Sequence, residues 1–525
     1  MMPQSISMMK NFVSFLVIIS SVVSVNAQLP EIIFGEQERY DSKINSLNFI
    51  GASEGALFLK KEVLNDGSWI LESYELDSLK KKLSTTVNAP EFNTGDLEVL
   101  QVAQIDEHFL MLHSLRQKAN GKRKLYLTPI SQKGEFLDIP LEVGEIPELK
   151  RREDLFCGLS ISPDSTKMLL YYSVNSNASQ DAAYSLKVFS NSLVLQSSKV
   201  LELPYPNELL NIDRMLLDNN GVSYILSGIL PEKRATQTPD LQTQNKRYLL
   251  FTYNFEKNKL KEFDVNLKDK WVAGVSFGLS PKGYLAIGGF YSNDMYFSIA
   301  GTFYFSIDIE KGLVLTKAMK AFDKDFLKEF GNNRVDAGGR ELYNYYFDHF
   351  LLLEDGSAKF VAEQFYVEQR ITMDPGTGRQ TVSYAYNYND LIVVSVNAEG
   401  QINWSSRIPK RQVSLNDGGP YSSYALSYND KYLDIVFNDN PRNYELAAGE
   451  VLTDPASFGS LKKSVVSWMR IDENGQMKRS QLFSAKESET ILKPKAAFRP
   501  KKSALVVFSQ FRKDMSFVQL NFPLN

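Results

Sequence analysis

Residues 271–288 read WVAGVSFGLSPKGYLAIG, in which one β-forming run ends at Pro281-Lys282-Gly283 and a second run begins. A short polar turn that ends in glycine typically joins the two strands of a β-hairpin. The same arrangement returns along the chain at Asn65-Asp66-Gly67, Gln132-Lys133-Gly134, Asp218-Asn219-Asn220-Gly221, Glu354-Asp355-Gly356, Ala398-Glu399-Gly400 and Glu473-Asn474-Gly475, and without glycine at Ser162-Pro163-Asp164-Ser165. The sequence therefore predicts an array of β-hairpins.

These hairpins divide the chain into eight units of three to four strands each. The units lie at about 43–90, 96–145, 153–205, 207–268, 271–320, 340–410, 420–485 and 488–522. A four-stranded sheet cannot bury both of its faces alone. Sheets arranged radially around an axis bury these faces against each other, and this is the architecture of a β-propeller.

The two ends of the chain complement each other. After Ile491 only three strands remain, and the strand-like stretch 30–35 has no partner nearby in the sequence. If the N-terminal strand completes the last sheet, the ring closes and two exposed edges disappear. We therefore predict an all-β fold, a single β-propeller of eight blades whose N-terminal strand completes the last blade. Seven blades is the alternative count.

A pair of stacked β-sandwiches is the alternative architecture, and it requires a linker near the middle of the chain. The nearest candidate is 231–245, but strand-like stretches on both sides of it read as one hairpin, so we interpret it as a loop within a blade.

A helix is predicted over 316–330, where apolar residues have helical spacing and Gly331 follows. Insertions are predicted at about 316–345, 366–388 and 438–462, which marks the rim of blades 6 and 7 as the candidate functional region.

Residues 1–27 have the pattern of a signal peptide, with Lys10, an apolar stretch over 11–24 and the cleavage site Val25-Asn26-Ala27. The alternative is a transmembrane anchor, but the apolar stretch is shorter than the roughly 20 residues that span a bilayer. We expect a propeller domain over 28–525 without a transmembrane span, exported to the periplasm, the cell surface or the medium.

Cys157 is the single cysteine of the sequence. It is predicted to be a buried residue that packs as a small apolar side chain. The scarcity of cysteine favours a bacterial protein, because secreted eukaryotic proteins of this size usually contain several.

The recurrent Asp/Asn/Gly turns give the chain its resemblance to exported bacterial β-propellers with degenerate, WD40-like blades. The resemblance covers the chain from Pro30 onwards and implies a propeller fold. The Trp-Asp dipeptide of WD40 repeats is absent, since Trp69, Trp271, Trp404 and Trp468 are followed by Ile, Val, Ser and Met.

Several classes of function lack their sequence signals. The net charge is −3, without the basic cluster that a nucleic-acid partner requires. His108 and His113 lie five residues apart in one strand-like run and therefore face opposite sides, so they cannot form a metal site together, and His349 is expected to be a packed side chain. A serine-hydrolase elbow, a calcium loop, a phosphate loop and a dinucleotide fingerprint are also missing. We therefore predict no catalytic residue, metal or cofactor from motifs.

Two polar segments, 407–420 and 437–444, combine Arg or Lys with Asn and Asp directly after strand-like runs. That mixture suits recognition of a peptide backbone, a carboxylate or a sugar, although the same residues are strong turn formers. The predicted binding residues are Lys410, Arg411, Gln412, Tyr421, Asn438, Asp439 and Arg442.

Aromatic residues are dense in the same region. Tyr384, Tyr386 and Tyr388 alternate, so they share one face of a strand. Buried between blades they are core, and exposed on the rim they form a stacking platform for a sugar or a protein.

We predict from this a non-catalytic binding or scaffold propeller of the bacterial cell envelope, which recognises a protein, peptide or glycan through the rim of blades 6 and 7. The alternative is a carbohydrate-active propeller, a glycoside hydrolase or lyase with paired carboxylates. The carboxylates whose positions distinguish the two are Asp348, Glu363, Asp390, Asp434 and Asp439.

Overall fold

The computed structural model describes residues 28–41, 43–63, 68–87, 97–117, 121–147, 156–175, 177–230, 246–293, 298–308, 310–331, 341–446 and 450–524. The predicted signal peptide, the turn Asn65-Asp66-Gly67 and the predicted loop 231–245 lie outside these residues.

Eight antiparallel four-stranded sheets follow one another along the described chain. The first four blades are β3 (Ile44–Ser53), β4 (Ala56–Val63), β5 (Trp69–Glu75) and β6 (Lys81–Val87); β7 (Leu97–Ile105), β8 (His108–Gln117), β9 (Lys122–Ser131) and β10 (Leu141–Pro147); β11 (Cys157–Ile161), β12 (Lys167–Ser173), β13 (Asp181–Ser190) and β14 (Leu195–Pro206); β15 (Leu210–Leu217), β16 (Val222–Ile229), β17 (Arg247–Asn254) and β18 (Lys259–Asp264).

Blades 5 to 8 have the same strand order and additional short elements. Their strands are β19 (Trp271–Leu279), β20 (Tyr284–Ser292), β22 (Gly301–Asp308) and β23 (Leu313–Ala321); β25 (Tyr345–Leu352), β26 (Ala358–Met373), β27 (Gln380–Val396) and β28 (Ile402–Ile408); β30 (Ala425–Tyr428), β31 (Leu433–Asp439), β32 (Val465–Ile471) and β33 (Met477–Ser484); β34 (Ile491–Lys501), β35 (Ala504–Phe511), β36 (Asp514–Asn521) and β1 (Glu31–Phe34). The additional elements are β2 (Glu38–Arg39), β21 (Ser298–Ile299), β24 (Leu342–Tyr343), β29 (Gln412–Leu415), the helices α1 (Lys324–Lys328) and α2 (Ala485–Ser488), and 3-10 helices at Pro441–Tyr444 and Leu461–Lys463.

The predicted closure of the ring is confirmed. β1 pairs antiparallel with β36, with Glu31 opposite Asn521 and Phe34 opposite Val518. The N-terminal strand is therefore the outermost strand of blade 8, as predicted, and the number of blades is eight. The flanks of 231–245 also pair as expected, because β16 and β17 are neighbours within blade 4.

Within the part of the chain that the structure describes, the hydrophobic core forms eight clusters, and each cluster fills the space between two consecutive blades. Ile392 and Val394 pack towards blade 5, whereas the intervening Val393 packs towards blade 7. Side chains of a strand alternate between its two faces. Both faces of a blade are buried, so the middle strands read as continuous apolar runs. The cluster between blades 8 and 1 closes the ring and excludes the arrangement as two stacked sandwiches.

The recurrent turns share one geometry. In the turn after β19, Ser280 N donates to Tyr284 O at 2.9 Å and Gly283 N donates to Ser280 O at 2.9 Å. The glycines that end the six described turns have φ between 80° and 86°, in the left-handed region that favours glycine. Ser165 occupies this position in the copy without glycine, with φ 57°.

The helix predicted over 316–330 is mostly wrong. Residues 316–321 belong to β23, the outermost strand of blade 5, which pairs with β22 along its length. Only Lys324–Lys328 is helical, and the Asp323 side chain caps it by accepting from Phe326 N at 2.8 Å. Hydrogen bonding to the neighbouring strand therefore overrides the helical spacing of the apolar residues.

The segments predicted as insertions have different structures. Residues 366–388 form regular strand rather than loop, because β26 and β27 continue beyond the end of β25 as a hairpin. We call residues 365–388 the β-arm. The segment 438–462 contains the end of β31 and the first 3-10 helix, and 316–345 contains the end of β23, helix α1 and β24.

Candidate functional site

The inner strands of blades 6, 7 and 8 enclose a cavity of about 690 Å³. First strands of consecutive blades lie against each other, as β34, β3, β7, β11 and β15 do in succession, so these strands surround the axis of the propeller. Residues of β25, β30 and β34 line the cavity, together with parts of β26 and β27 at the base of the β-arm. We call it the inner cavity.

Asp348 reaches the inner cavity through a β-bulge. In the pairing of β25 with β26, Phe347 lies opposite Ala362 and His349 lies opposite Val361, which leaves Asp348 as the extra residue. A bulge changes the direction of a side chain and is common beside functional sites. Asp348 is an exposed residue that lines the cavity, and its carboxyl group accepts from the Tyr424 hydroxyl at 3.0 Å.

Glu363 is the second carboxylate of the inner cavity, and buried groups hold it in place. Its Oε1 forms an ion pair with Lys410 Nζ at 2.7 Å, and its Oε2 accepts from Ser423 Oγ at 2.7 Å. The Lys410 ammonium also donates to Tyr388 O at 3.0 Å and to Gln412 Oε1 at 3.0 Å. The orientation of Glu363 is therefore fixed from inside the protein.

The two carboxyl groups have different environments. Although Asp348 has exposed surface, the cavity walls around it partly desolvate its carboxyl group, which raises the pKa of Asp348 to about 7, and the nearby Glu363 carboxylate adds to this rise. Glu363 lies directly against the Lys410 ammonium, whereas Asp348 accepts from the neutral Tyr424 hydroxyl. Near pH 7 the Asp348 carboxyl group is therefore divided between its protonated and its ionised form.

Aromatic rings form one wall of the inner cavity. The rings of Phe365 and Tyr388 lie 4.6 Å apart, and those of Tyr346 and Phe365 lie 5.9 Å apart in an edge-to-face arrangement. Tyr346 is 46% exposed, so it can stack on a ligand without rearrangement. The ammonium group of Lys495 lies 4.1 Å from the centre of the Tyr388 ring.

Blade 8 contributes two cations that the sequence prediction missed. Lys495 and Arg499, both on β34, line the inner cavity. Arg499 Nη1 donates to Tyr428 O at 2.8 Å, and its guanidinium lies 3.6 Å from the centre of the Tyr428 ring. Burial lowers the pKa of Lys495. The sequence does indicate these cations, because the stretch KPKAAFRPK of β34 is rich in Lys and Arg. It does not show that side chains of β34 share a cavity with side chains of blade 6.

Four of the predicted binding residues are inside the protein, which corrects their expected placement on the rim. Lys410, Gln412 and Asn438 are 0% exposed and Asp439 is 1% exposed. Gln412 Nε2 donates to Asn438 O at 2.7 Å, and Asn438 Nδ2 donates to Leu492 O at 2.8 Å. These side chains connect blades 6, 7 and 8 by hydrogen bonds that satisfy backbone and side-chain groups in the interior. We call Glu363, Lys410, Gln412 and Asn438 the buried network.

The other three predicted residues lie nearer the surface and are not brought together into one site. Arg411 and Arg442 are exposed, and Arg411 approaches Asp454 at 3.9 Å. Tyr421 is half-buried, its carbonyl oxygen accepts from Asn438 Nδ2 at 2.8 Å, and its ring faces the Lys493 ammonium. None of the seven predicted residues lines the inner cavity.

The five candidate carboxylates separate into two groups. Asp390 pairs with Arg407 at 3.0 Å, Asp434 pairs with Arg470 at 2.8 Å, and Asp439 pairs with Arg479. These three are buried parts of the scaffold. Asp348 and Glu363 are the two that meet in a cavity.

The tyrosines of β27 change character along the strand. Tyr388 is buried, Tyr386 is half-buried and Tyr384 is 46% exposed on the β-arm. The row is therefore core at Tyr388 and exposed surface at Tyr384.

The described ranges contain no group of three or more His, Cys, Asp or Glu residues that could hold a metal ion. His113 is buried against Thr128, with Nε2 at 2.8 Å from Oγ1, and burial lowers its pKa to about 4. No helix of the described chain is long and apolar enough to cross a membrane.

No protein-family model matches this sequence, and no curated protein matches it. Among solved structures, the WD40 domain of SCAP from fission yeast is similar at 8% identity and a TM-score of 0.43, over 94% of each chain. The polysaccharide lyase Uly1 is similar at 11% identity and a TM-score of 0.37, over 91% of this chain and 99% of that one. A puromycin hydrolase is similar at 11% identity and a TM-score of 0.37, over 79% of this chain and 53% of that one. The eight blades of the described chain and their closed ring establish the predicted β-propeller fold.

Proposed function

We propose that the protein is an exported envelope propeller that binds a glycan in the inner cavity between blades 6, 7 and 8. The observation that carries this proposal is the aromatic wall of Tyr346, Phe365 and Tyr388 in one cavity with Asp348 and Arg499. Aromatic rings stack on the apolar faces of sugar rings, and carboxylates and guanidinium groups bond to their hydroxyls. In this proposal the binding surface consists of the residues that line the cavity, in place of the rim residues predicted from the sequence.

Tyr346→Ala is expected to weaken glycan binding about tenfold or more, because the exposed ring provides stacking area at the cavity wall. The measurement is a screen of the purified protein on a glycan array, followed by calorimetric titration with the best oligosaccharide. Tyr343→Ala is the matched control, since Tyr343 is a nearby exposed tyrosine that does not line the cavity. Equal affinities of the two variants would contradict the proposal, and binding only of peptides would assign the cavity to peptide recognition instead.

A second candidate function is cleavage of the bound glycan, and one observation favours it. Asp348, with a pKa of about 7, lies near Glu363, whose two oxygens contact Lys410 and Ser423. Two carboxyl groups in different environments can divide the roles of proton donor and ionised carboxylate, as glycosidases require. In this scheme Asp348 donates its proton to the leaving oxygen as the glycosidic C–O bond breaks, and the Glu363 carboxylate stabilises the positive charge that develops on the sugar. A water molecule then adds its oxygen to the anomeric carbon and gives its proton to the Asp348 carboxylate, which forms the new reducing end and restores the proton donor.

Asp348→Asn is expected to retain glycan binding and to abolish release of reducing ends, because an amide of the same shape cannot donate the proton. In the wild-type protein, turnover is expected to fall as the pH rises through about 7, where Asp348 loses its proton. Assays of reducing ends across the pH range, on a glycan that binds, test this directly. Binding without turnover by the wild-type protein would exclude catalysis and leave the binding function in place.

A further inference from the structure

The β-arm is a regular hairpin. Its tip is closed by Asp374, whose N donates to Arg379 O at 2.9 Å and whose Oδ1 accepts from Gly376 N and Thr377 N at 2.9 and 2.7 Å. Cross-strand pairs run without interruption from Phe365 opposite Tyr388 to Met373 opposite Gln380.

The two faces of the β-arm differ in polarity. Residues directly opposite each other share a face, so one face presents Val367, Ile371, Met373, Val382 and Tyr384, each at least 45% exposed. The other face presents an ion pair, in which Arg370 Nε and Nη2 donate to Glu368 Oε2 at 2.9 and 2.7 Å. A two-stranded hairpin alone in water is marginally stable. The apolar face of the β-arm is exposed, so it contributes little to the stability of the hairpin.

One edge of the β-arm is open. β25 pairs with β26 only as far as Gln364, and β29 covers part of the opposite edge along β27. Over residues 366–373, β26 pairs with β27 alone among the strands of the described ranges. This stretch reads YVEQRITM and contains neither proline nor lysine, two residues that commonly protect an exposed edge from pairing. Its charged residues are Glu368 and Arg370.

The register at this edge follows from the hydrogen bonds of the hairpin. Because Asp374 N bonds to Arg379 O, backbone groups of even-numbered residues point to β27, and those of Val367, Gln369 and Ile371 point outwards. Two such edges, brought together antiparallel around a two-fold axis at Gln369, place Val367 opposite the partner's Ile371. The same register places Glu368 opposite the partner's Arg370. An axis at residue 368 or 370 places like charges opposite each other instead, which is destabilising.

We propose that this edge pairs with a second copy of the chain, so that two β-arms form one four-stranded antiparallel sheet with the two-fold axis at Gln369. We choose a second copy of the chain as the partner because the edge is complementary to itself at this one register, both in its charges and in its apolar pairs. An isologous contact of this kind closes as a dimer. Cross-strand pairs of Val367 with the partner's Ile371 also shield part of the exposed apolar face.

Charge reversal tests the proposed register. Glu368→Arg puts two arginines opposite each other at both symmetry-related positions, and Arg370→Glu does the same with two glutamates. Each single variant is expected to raise the dimer dissociation constant about tenfold or more. The double variant Glu368→Arg/Arg370→Glu restores both opposite-charge pairs and is expected to dimerise as the wild type does. Sedimentation velocity of the purified full-length protein over a range of concentrations measures these constants.

Mixing the two single variants gives the sharpest test. In a mixed dimer each arginine of one chain faces a glutamate of the other, so two weakly associating variants are expected to form a stable heterodimer. A folding defect of either arm cannot produce this result. A wild-type protein that stays monomeric at all concentrations would overturn the proposal and leave the edge to a strand of another protein. A mixture that stays monomeric would overturn the register.

Discussion

Lys410→Ala is expected to lower the free energy of unfolding by about 3–5 kcal/mol, the usual cost of removing one partner of a buried ion pair. Lys410 is 0% exposed, and its ammonium group makes three contacts, with Glu363, Tyr388 and Gln412. Alanine at this position leaves the Glu363 carboxylate without its counter-ion and opens a cavity between the blades. The shift of the denaturation midpoint in urea measures the effect.

Arg411→Ala is the matched control for this prediction. Arg411 is the next residue in the chain and carries the same charge, but its side chain is 48% exposed and approaches Asp454 only at 3.9 Å. Exposed pairs contribute about 0–1 kcal/mol, so this variant is expected to unfold almost as the wild type does. If both variants lowered the free energy of unfolding by the same small amount, Lys410 would not have the structural role described above.

The architecture could be predicted from the sequence because its main signal is local. Each turn that ends in glycine sets its own geometry, as the shared φ of Gly221, Gly283 and Gly356 shows. The number of strands between turns then predicts a last blade with three strands of its own, and the N-terminal strand supplies its fourth.

The candidate site could be predicted only in part, because its residues meet through contacts between distant segments. Lys410 and Asn438 occupy segments with the composition of surface turns, yet they face the interior between blades 6, 7 and 8. The partner of Asp434 is Arg470, which lies directly opposite it in β32, a relation that exists only once the strand register is known. Asp348 could be chosen as a candidate carboxylate, but its bulge depends on strand register and its place in one cavity with Lys495 depends on the packing of three blades.

Removal of residues 28–35 is expected to lower the free energy of unfolding by on the order of 3 kcal/mol or more. The strand β1 contributes ladder hydrogen bonds to β36, and Gly35 N donates to Phe517 O at 2.9 Å beyond it. Its two isoleucines also pack on opposite sides of blade 8. Ile32 contacts the cluster shared with blade 7, and Ile33 contacts the cluster shared with blade 1. One strand therefore supports two interfaces between blades.

The measurement compares thermal unfolding of a protein that begins at Gln28 with one that begins at Glu36. Leu29→Ser is the control, because Leu29 is 54% exposed and precedes the strand, so its melting temperature should equal that of the parent. The truncated protein exposes the edge of β36, and an unprotected edge favours aggregation. A synthetic peptide of residues 28–35 is expected to restore part of the lost melting temperature, since it can occupy the vacant edge. An unchanged melting temperature after truncation would show that blade 8 is stable with three strands and that the N-terminal strand does not hold the ring closed.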